Sequence, residues 1–212
     1  ACESMIYSIA EYMNEINKKE NKLEHPVDYL YYDDYKYMKT LDQDKDPFVK
    51  GIFNNITNRN LYMRAFCICK STVENWEDTH YYLNELINNK NYRKEIQKKI
   101  WDSIPSNIKD KYRIFKSNIQ LSFPKLGPSR KDETLESFII DRATQNLVSI
   151  DEYVPENEWL NGFINHKYRG YVFCPCFEEL RKHVFDASKE IFQQVVKMKV
   201  NDDYCKNDIH LY

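Results

Sequence analysis

Glycine is scarce, with four residues in 212, at positions 51, 127, 162 and 170, where ordinary usage would give about fifteen. A glycine-rich loop cradles phosphates by bringing backbone N–H groups close to them, and no such loop can be built from these four. The five histidines, His25, His80, His166, His183 and His210, are equally uncooperative: none precedes an aspartate, and no two are three or four residues apart. No pair of histidine ligands on one helix face is therefore encoded. Neither sign of charge is in excess, since 31 Lys+Arg against 33 Asp+Glu leave a net charge of −2. No global field steers the chain toward nucleic acid or an anionic membrane. Apolar runs stay far short of the ~20 residues of a spanning helix, and no basic N-terminal region leads into an apolar one. A soluble, unexported protein of the cytoplasm, or of the nucleus, is expected.

Cysteine is present but sparse, at positions 2, 67, 69, 174, 176 and 205, too few for a disulfide scaffold and suited to a reducing compartment. Cys67/Cys69 and Cys174/Cys176 form two C-x-C pairs. Structural zinc sites space paired cysteines by two to four residues, so zinc is not expected. On a strand, C-x-C sets two small apolar side chains on one face, and buried strand thiols are the simpler reading. Asn55-Ile56-Thr57 fits a glycosylation triplet but means little without a secretory signal.

The length fits a single unit over 1–212, mostly helical over 1–110, with strands and C-terminal helices over 111–200. Met5, Ile6, Ile9, Ala10, Met13 and Ile16 make an amphipathic first helix, entered directly at the chain start as in an excised fragment. Its apolar stripe is expected to need cover from preceding sequence or from another subunit. His25-Pro26 marks a turn, and 29–37 is rich in tyrosine. Asp33 or Asp34 suits the N-cap of a short helix ending near Leu41, and Asp46-Pro47 opens the next, with Phe48, Ile52, Phe53 and Ile56 inward. The run 61–69 reads as a buried strand, and Ser71 with Glu74 as a capping box for a helix carrying Val73, Trp76, His80, Leu83 and Ile87. On the helix near 91–101, Arg93, Lys94, Lys98 and Lys99 oppose Ile96 and Ile100, which describes a solvated face before it describes a phosphate-binding one. Period-two alternation from Phe115 to Phe123 predicts a half-buried strand, 129–134 an exposed loop, and 138–141 with 146–150 two short strands around a turn.

The strongest pattern lies between Pro155 and Ile191. Trp159, Leu160, Phe163 and Ile164 share a helix face, Tyr171 to Phe173 is a short strand stopped by Pro175, and Phe177, Leu180, Val184, Ala187, Ile191, Val195 and Met198 form the longest helical stripe. Such stripes usually fill a core. The fold class that results is α+β: a mainly helical first half, a small antiparallel sheet and a long C-terminal helix.

Pro155, Trp159, Lys167, Tyr168, Arg169, Tyr171, Val172, Phe173, Cys174, Pro175 and Glu178 resemble the C-terminal end of HD-domain phosphohydrolases of the deoxynucleoside triphosphate triphosphohydrolase type. The likeness covers most of these 212 residues but concerns the family's C-terminal part. It implies a scaffolding and oligomerisation role, with a (d)NTP regulatory ligand, and a divalent metal held by His and Asp in a preceding half. This chain holds no cofactor of its own on that reading and is expected to be inactive alone. Its partners would be further copies or the HD half, with no membrane. The family's basic strand, Arg followed four residues later by Lys, falls on 58–64, where Arg59 matches the first cation and Met63 stands at the second, with Arg64 one residue on. Arg59 and Arg64 are thus the candidate phosphate contacts, and a one-residue slip on a regular strand would turn them to opposite faces. Neither the carboxylate neighbours Asp33-Asp34 nor Glu178-Glu179 face one another on a helix. The alternative function is a stand-alone module binding protein or single-stranded nucleic acid through the tyrosines of 29–37 and the basic face of 93–99.

Overall fold

The computed structural model describes residues 1–15, 33–124, 138–141, 144–149, 162 and 168–201. Along these run α1 (Cys2–Glu15), α2 (Asp34–Gln43), α3 (Pro47–Thr57), β1 (Met63–Ile68), α4 (Trp76–Asn88), α5 (Lys90–Ser103) and α6 (Ser106–Tyr112). A 3-10 turn (Lys116–Asn118), β2 (Gln120–Ser122), β3 (Phe138–Ile140), β4 (Leu147–Ser149), β5 (Gly170–Cys174) and α7 (Glu178–Val195) complete them. The fold is α+β, with the long C-terminal helix and small antiparallel pairings its sequence predicts. The helix expected around 155–164, save Gly162, and the tyrosines at 29–32, the turn at 25–26, the loop at 129–134 and the polar end at 202–212 lie outside the described residues.

The chain divides into two compact units. One comprises Ala1–Phe66, Lys94–Ser122 and Tyr171–Phe192; the other comprises Cys67–Arg93, Phe123–Gly170 and Gln193–Tyr212.

In the first unit, sequence and structure agree where local chemistry is strong. The Asp33 carboxylate accepts the Lys36 N–H at 2.6 Å and starts α2, and the Asp46 carboxylate accepts the Phe48 N–H at 2.9 Å, with Pro47 at the first helical position of α3. Helix α1 lies against α3, the 3-10 turn and β2. Met5, Ile9 and Met13 are buried there with Leu41, Val49, Ile52, Phe53, Tyr62 and Phe173. Met5, Ile9 and Met13 of the apolar stripe are therefore covered by their own chain, while Ile16 lies outside the described residues. Strand order in the sheet is β1-β5-β2. β5 runs antiparallel to β2 with Gln120 opposite Phe173 and Ser122 opposite Tyr171. On α7, Leu180, Val184, Ala187 and Ile191 are buried as the stripe predicts, together with Phe192. Phe177 is exposed but stacks on Tyr112, with ring centroids 4.4 Å apart, while Glu179 accepts hydrogen bonds from Lys111 and from the Tyr112 hydroxyl.

The expected strand from Phe115 to Phe123 is mostly not one. The Asn118 side-chain oxygen accepts the Phe115 N–H at 2.7 Å while the Asn118 N–H reaches the Phe115 carbonyl at 2.9 Å. That local closure wins over the ladder, so only Gln120–Ser122 extends.

In the second unit, Val73 bridges Val200 antiparallel, flanked by Glu74 N–H to the Lys199 carbonyl at 2.8 Å and Asn201 N–H to the Thr72 carbonyl at 2.9 Å. These bonds displace the expected capping box. Helix α4 starts only at Trp76, because the Glu74 amide is already engaged and the Ser71 hydroxyl sits 3.0 Å from the Cys69 sulfur. Asn75, the residue before α4, accepts the Lys199 N–H at 2.7 Å instead of capping the helix. Trp76 packs against the buried Tyr168 ring. Gly170 is required where it stands, since a Cβ there would lie 2.6 Å from the Phe123 ring. β3 and β4 pair as the expected hairpin, Phe138 opposite Ser149 and Ile140 opposite Leu147.

Candidate functional site

Arg59 and Arg64 are not brought onto one strand. β1 begins at Met63, and Arg59 belongs to the end of α3, exposed, with a φ of 58°. Its N–H reaches the Ile56 carbonyl at 3.1 Å and the Asn60 N–H reaches the Asn55 carbonyl at 2.7 Å, the paired bonds of a Schellman turn. Arg64 is exposed on β1 with its guanidinium 4.8 Å from the centre of the Tyr171 ring on β5. A left-handed residue bearing a Cβ costs about 1–2 kcal/mol. Arg59→Gly is therefore expected to stabilise the chain by about 1 kcal/mol, read as a higher urea midpoint at unchanged slope. An unchanged or lower midpoint would mean that this turn is not left-handed at Arg59.

The basic face of α5 is locally satisfied. Lys98 pairs with Asp102 and Lys99 with Glu95, each at 2.8 Å. Lys94 lies 3.9 Å from Glu11, and Arg93 donates to the Leu86 and Ile87 carbonyls at the end of α4. These partners match a solvated helix face and reduce what the cations offer to a phosphate chain. A surface hollow lined by Asn84, Glu85, Asn88, Asn89, Lys90 and Asn91 serves helix ends: the Asn89 side chain accepts the Asn91 and Tyr92 N–H groups, each at 3.1 Å.

Beneath α1 lies a directed hydrogen-bond relay. The Asn118 amide donates to the Tyr62 phenol oxygen at 2.7 Å, and the Ser8 hydroxyl spends its one proton on the Ser117 carbonyl. The Tyr62 hydroxyl, 3.2 Å from Ser8 Oγ, must then donate to it. Burial, above all, pushes the Tyr62 phenol from 10.0 up to about 12. Alongside, Glu11 accepts from the amides of Gln97 and Gln120, each at 3.0 Å. Ser8 and Glu11 tie α1 to Tyr62, α5 and the 116–120 segment, and Asn118 ties that segment to Tyr62, so the network holds elements together.

The chemically distinctive group is at the exit of β1. The sequence predicts inert strand thiols for both C-x-C pairs, and two of the four depart from this. Cys176 follows the end of β5 and is exposed. Cys69 follows the end of β1, in a bend. There the Ser71 hydroxyl lies 3.0 Å from the Cys69 sulfur, the Thr72 hydroxyl donates to the Cys69 carbonyl at 3.1 Å and lies 3.6 Å from the sulfur, and the Cys69 N–H donates to Thr72 Oγ1 at 2.9 Å. The neighbouring Cys67 thiol first, with Ser71 and Thr72, outweighs burial and holds the Cys69 thiol well down from 9.0, at about 5. Cys174 shows the opposite case, since burial in the sheet pushes its thiol up to about 12. The sequence signal was the Ser71-Thr72 pair directly after Cys-x-Cys-Lys, residue types whose hydroxyls favour turns and supply donors.

Among the described residues, no group of three or more His, Cys, Asp or Glu side chains comes together to hold a metal ion. No helix of the described residues is long and apolar enough to cross a membrane. No protein-family model, no curated protein and no solved structure matches the chain.

Proposed function

We propose that this chain is the C-terminal part of an HD-domain phosphohydrolase of the deoxynucleoside triphosphate triphosphohydrolase type. It scaffolds and assembles a catalytic half that carries the divalent metal and the His-Asp pair, and it does no hydrolysis alone. The observation that carries this reading is the part its motif plays in the fold. Tyr171, Val172, Phe173 and Cys174 lie in the middle strand of the sheet, Pro175 follows, and Glu178 opens α7 with its carboxylate 2.6 Å from Arg181. Tyr168, another motif residue, is 1% exposed. Arg64, over the Tyr171 ring, is the better of the two arginines for the phosphates of a regulatory (d)NTP, because its guanidinium is exposed beside an aromatic face.

Two measurements test this. The transcript upstream of the Ala1 codon is expected to encode an in-frame His-Asp pair. In the resulting holoenzyme, Arg64→Ala is expected to weaken activation by dGTP, GTP or dATP more than Lys98→Gln/Lys99→Gln does. A transcript without such a pair would overturn the reading. Equal effects of the two variants would remove the nucleotide from it and leave the scaffold.

A further inference from the structure

We propose that the exit of α6, together with the start of α7 beside it, is a docking surface for single-stranded nucleic acid. The proposal goes beyond the phosphohydrolase reading, does not rest on it, and uses other residues than the α5 face, whose cations are already paired. Between 103 and 122 the chain carries Lys109, Lys111, Arg113 and Lys116 against Asp110 alone. Their centre is the run Lys111-Tyr112-Arg113-Ile114-Phe115-Lys116, in which cations and rings alternate. Only Ile114 of this run is buried; Lys111, Arg113 and Phe115 are exposed, and Tyr112 and Lys116 half-buried. Among the described residues, Lys109 and Arg113 are in no ion pair. Lys111 pairs with Glu179, which also accepts the Tyr112 hydroxyl, so the Glu179 carboxylate is neutralised where it adjoins the run.

Local bonds fix how the run is presented. Arg113 ends α6 in a left-handed conformation, φ 50°; its N–H reaches the Asp110 carbonyl at 3.2 Å and the Ile114 N–H reaches the Lys109 carbonyl at 3.1 Å. Asn118 then binds both the N–H and the carbonyl of Phe115. The rings are thereby placed before a ligand arrives, which lowers the ordering cost of binding. Phe115 is 47% exposed and stands edge-on to Phe48, centroids 5.1 Å apart and planes at 88°. Phe177, 40% exposed, has one face on Tyr112, so its exposure lies on the other face and the edge. Lys109 lies over the Trp101 ring, 4.6 Å from its centre. Exposed rings set among cations suit a single strand, whose bases stack on the rings while its phosphates meet the cations. A duplex turns its base faces inward and could use only the charge. A membrane anchor would turn its aliphatic residue outward, whereas Ile114, the aliphatic residue of this run, is turned in.

The full chain is titrated into a fluorescein-labelled oligothymidine of about twelve nucleotides, within the usual site size of a single-strand binder, and binding is read as fluorescence anisotropy. The single strand is expected to bind about ten-fold or more tighter than a duplex of the same length. Between about 50 and 200 mM salt, log K is expected to fall against log salt with a slope of about −2 to −3, the value for three or four phosphate contacts on a single strand. These comparisons need no variant. Phe115→Leu and Phe177→Leu keep an apolar side chain in place, and each is expected to weaken binding about five-fold or more at unchanged salt slope, the share of one stacked base. Arg113→Gln is expected to weaken binding and to flatten the slope by about 0.7. Lys36→Gln/Lys39→Gln on α2 is the control and is expected to change affinity by less than about two-fold. A duplex bound as tightly as the single strand would overturn the proposal, since charge alone would then account for binding. So would leucine variants that bind as the wild type does, or no binding with the chain at about 100 µM in low salt. Displacement of the oligonucleotide by phosphatidylserine vesicles at equal phosphate would also overturn it, by assigning the surface to a membrane.

Discussion

Phe192→Ala is expected to lower the stability of the chain by about 3–5 kcal/mol, the cost of a fully buried phenyl ring lost with a cavity left behind. Phe192 is 0% exposed and lies face to face with Phe66, ring centroids 5.7 Å apart and planes 7° from parallel. Phe66 is itself 1% exposed on β1, and Phe185 closes the group at 5.7 Å with a 55° tilt. Truncation therefore removes apolar area and an aromatic pair worth about 0.5–1.5 kcal/mol beyond that area. The urea midpoint is the readout, with an unchanged slope showing that the unfolded state is unaltered. Phe185→Ala, at a half-buried position, is the control and is expected to cost less than half as much. A loss of under about 1 kcal/mol for Phe192 would mean that the two rings do not stack.

Helices with a cap and a stripe were legible in the sequence, because both signals act within a few residues. Asp33, Asp46 and the Leu180–Val184–Ala187–Ile191 series each do in the structure what their spacing predicts. Where the reading departed, a competing bond formed at a distance or a side chain folded back. The Ser71/Glu74 capping box gave way to a bridge with Lys199, more than a hundred residues away in sequence, which no window of ten residues can register. The alternation after Phe115 gave way to Asn118 closing on Phe115. The site divides in the same manner. Arg64 is on the expected strand, but Arg59 is taken by a helix-terminating turn, because the chain must reverse after α3 and no glycine is there to do it. The C-x-C pair at 67 and 69 was visible as spacing only. Its chemistry depends on β1 stopping one residue short of Cys69, a boundary of the kind that sequence periodicity leaves open.

Tyr62→Phe is expected to cost about 1–3 kcal/mol, because it leaves the buried Asn118 amide without its acceptor, while Ser8 keeps its bond to the Ser117 carbonyl. Deleting one oxygen atom opens almost no cavity, so the loss is a measure of the relay rather than of packing. The dependence on pH separates it from ordinary destabilisation. In the folded chain, burial pushes the Tyr62 phenol from 10.0 up to about 12, its hydrogen-bonded neighbours Ser8 and Asn118 offsetting only part of the rise. The unfolded tyrosine ionises near the ordinary 10. Below pH 10 both states hold the proton and the contribution of Tyr62 is intact. Between pH 10 and about 12 the unfolded chain gives up the proton and the folded chain keeps it, so stability falls by about 1.4 kcal/mol per pH unit. Phenylalanine has no proton to lose, so the gap in urea midpoint between wild type and Tyr62→Phe is expected to be constant from pH 7 to pH 9 and to narrow from pH 10 upward. Ser8→Ala leaves the phenol in place and is expected to keep the alkaline slope while losing part of the stability. A gap that stays constant through pH 11 would show that Tyr62 is solvated, and the relay beneath α1 would have to be redrawn.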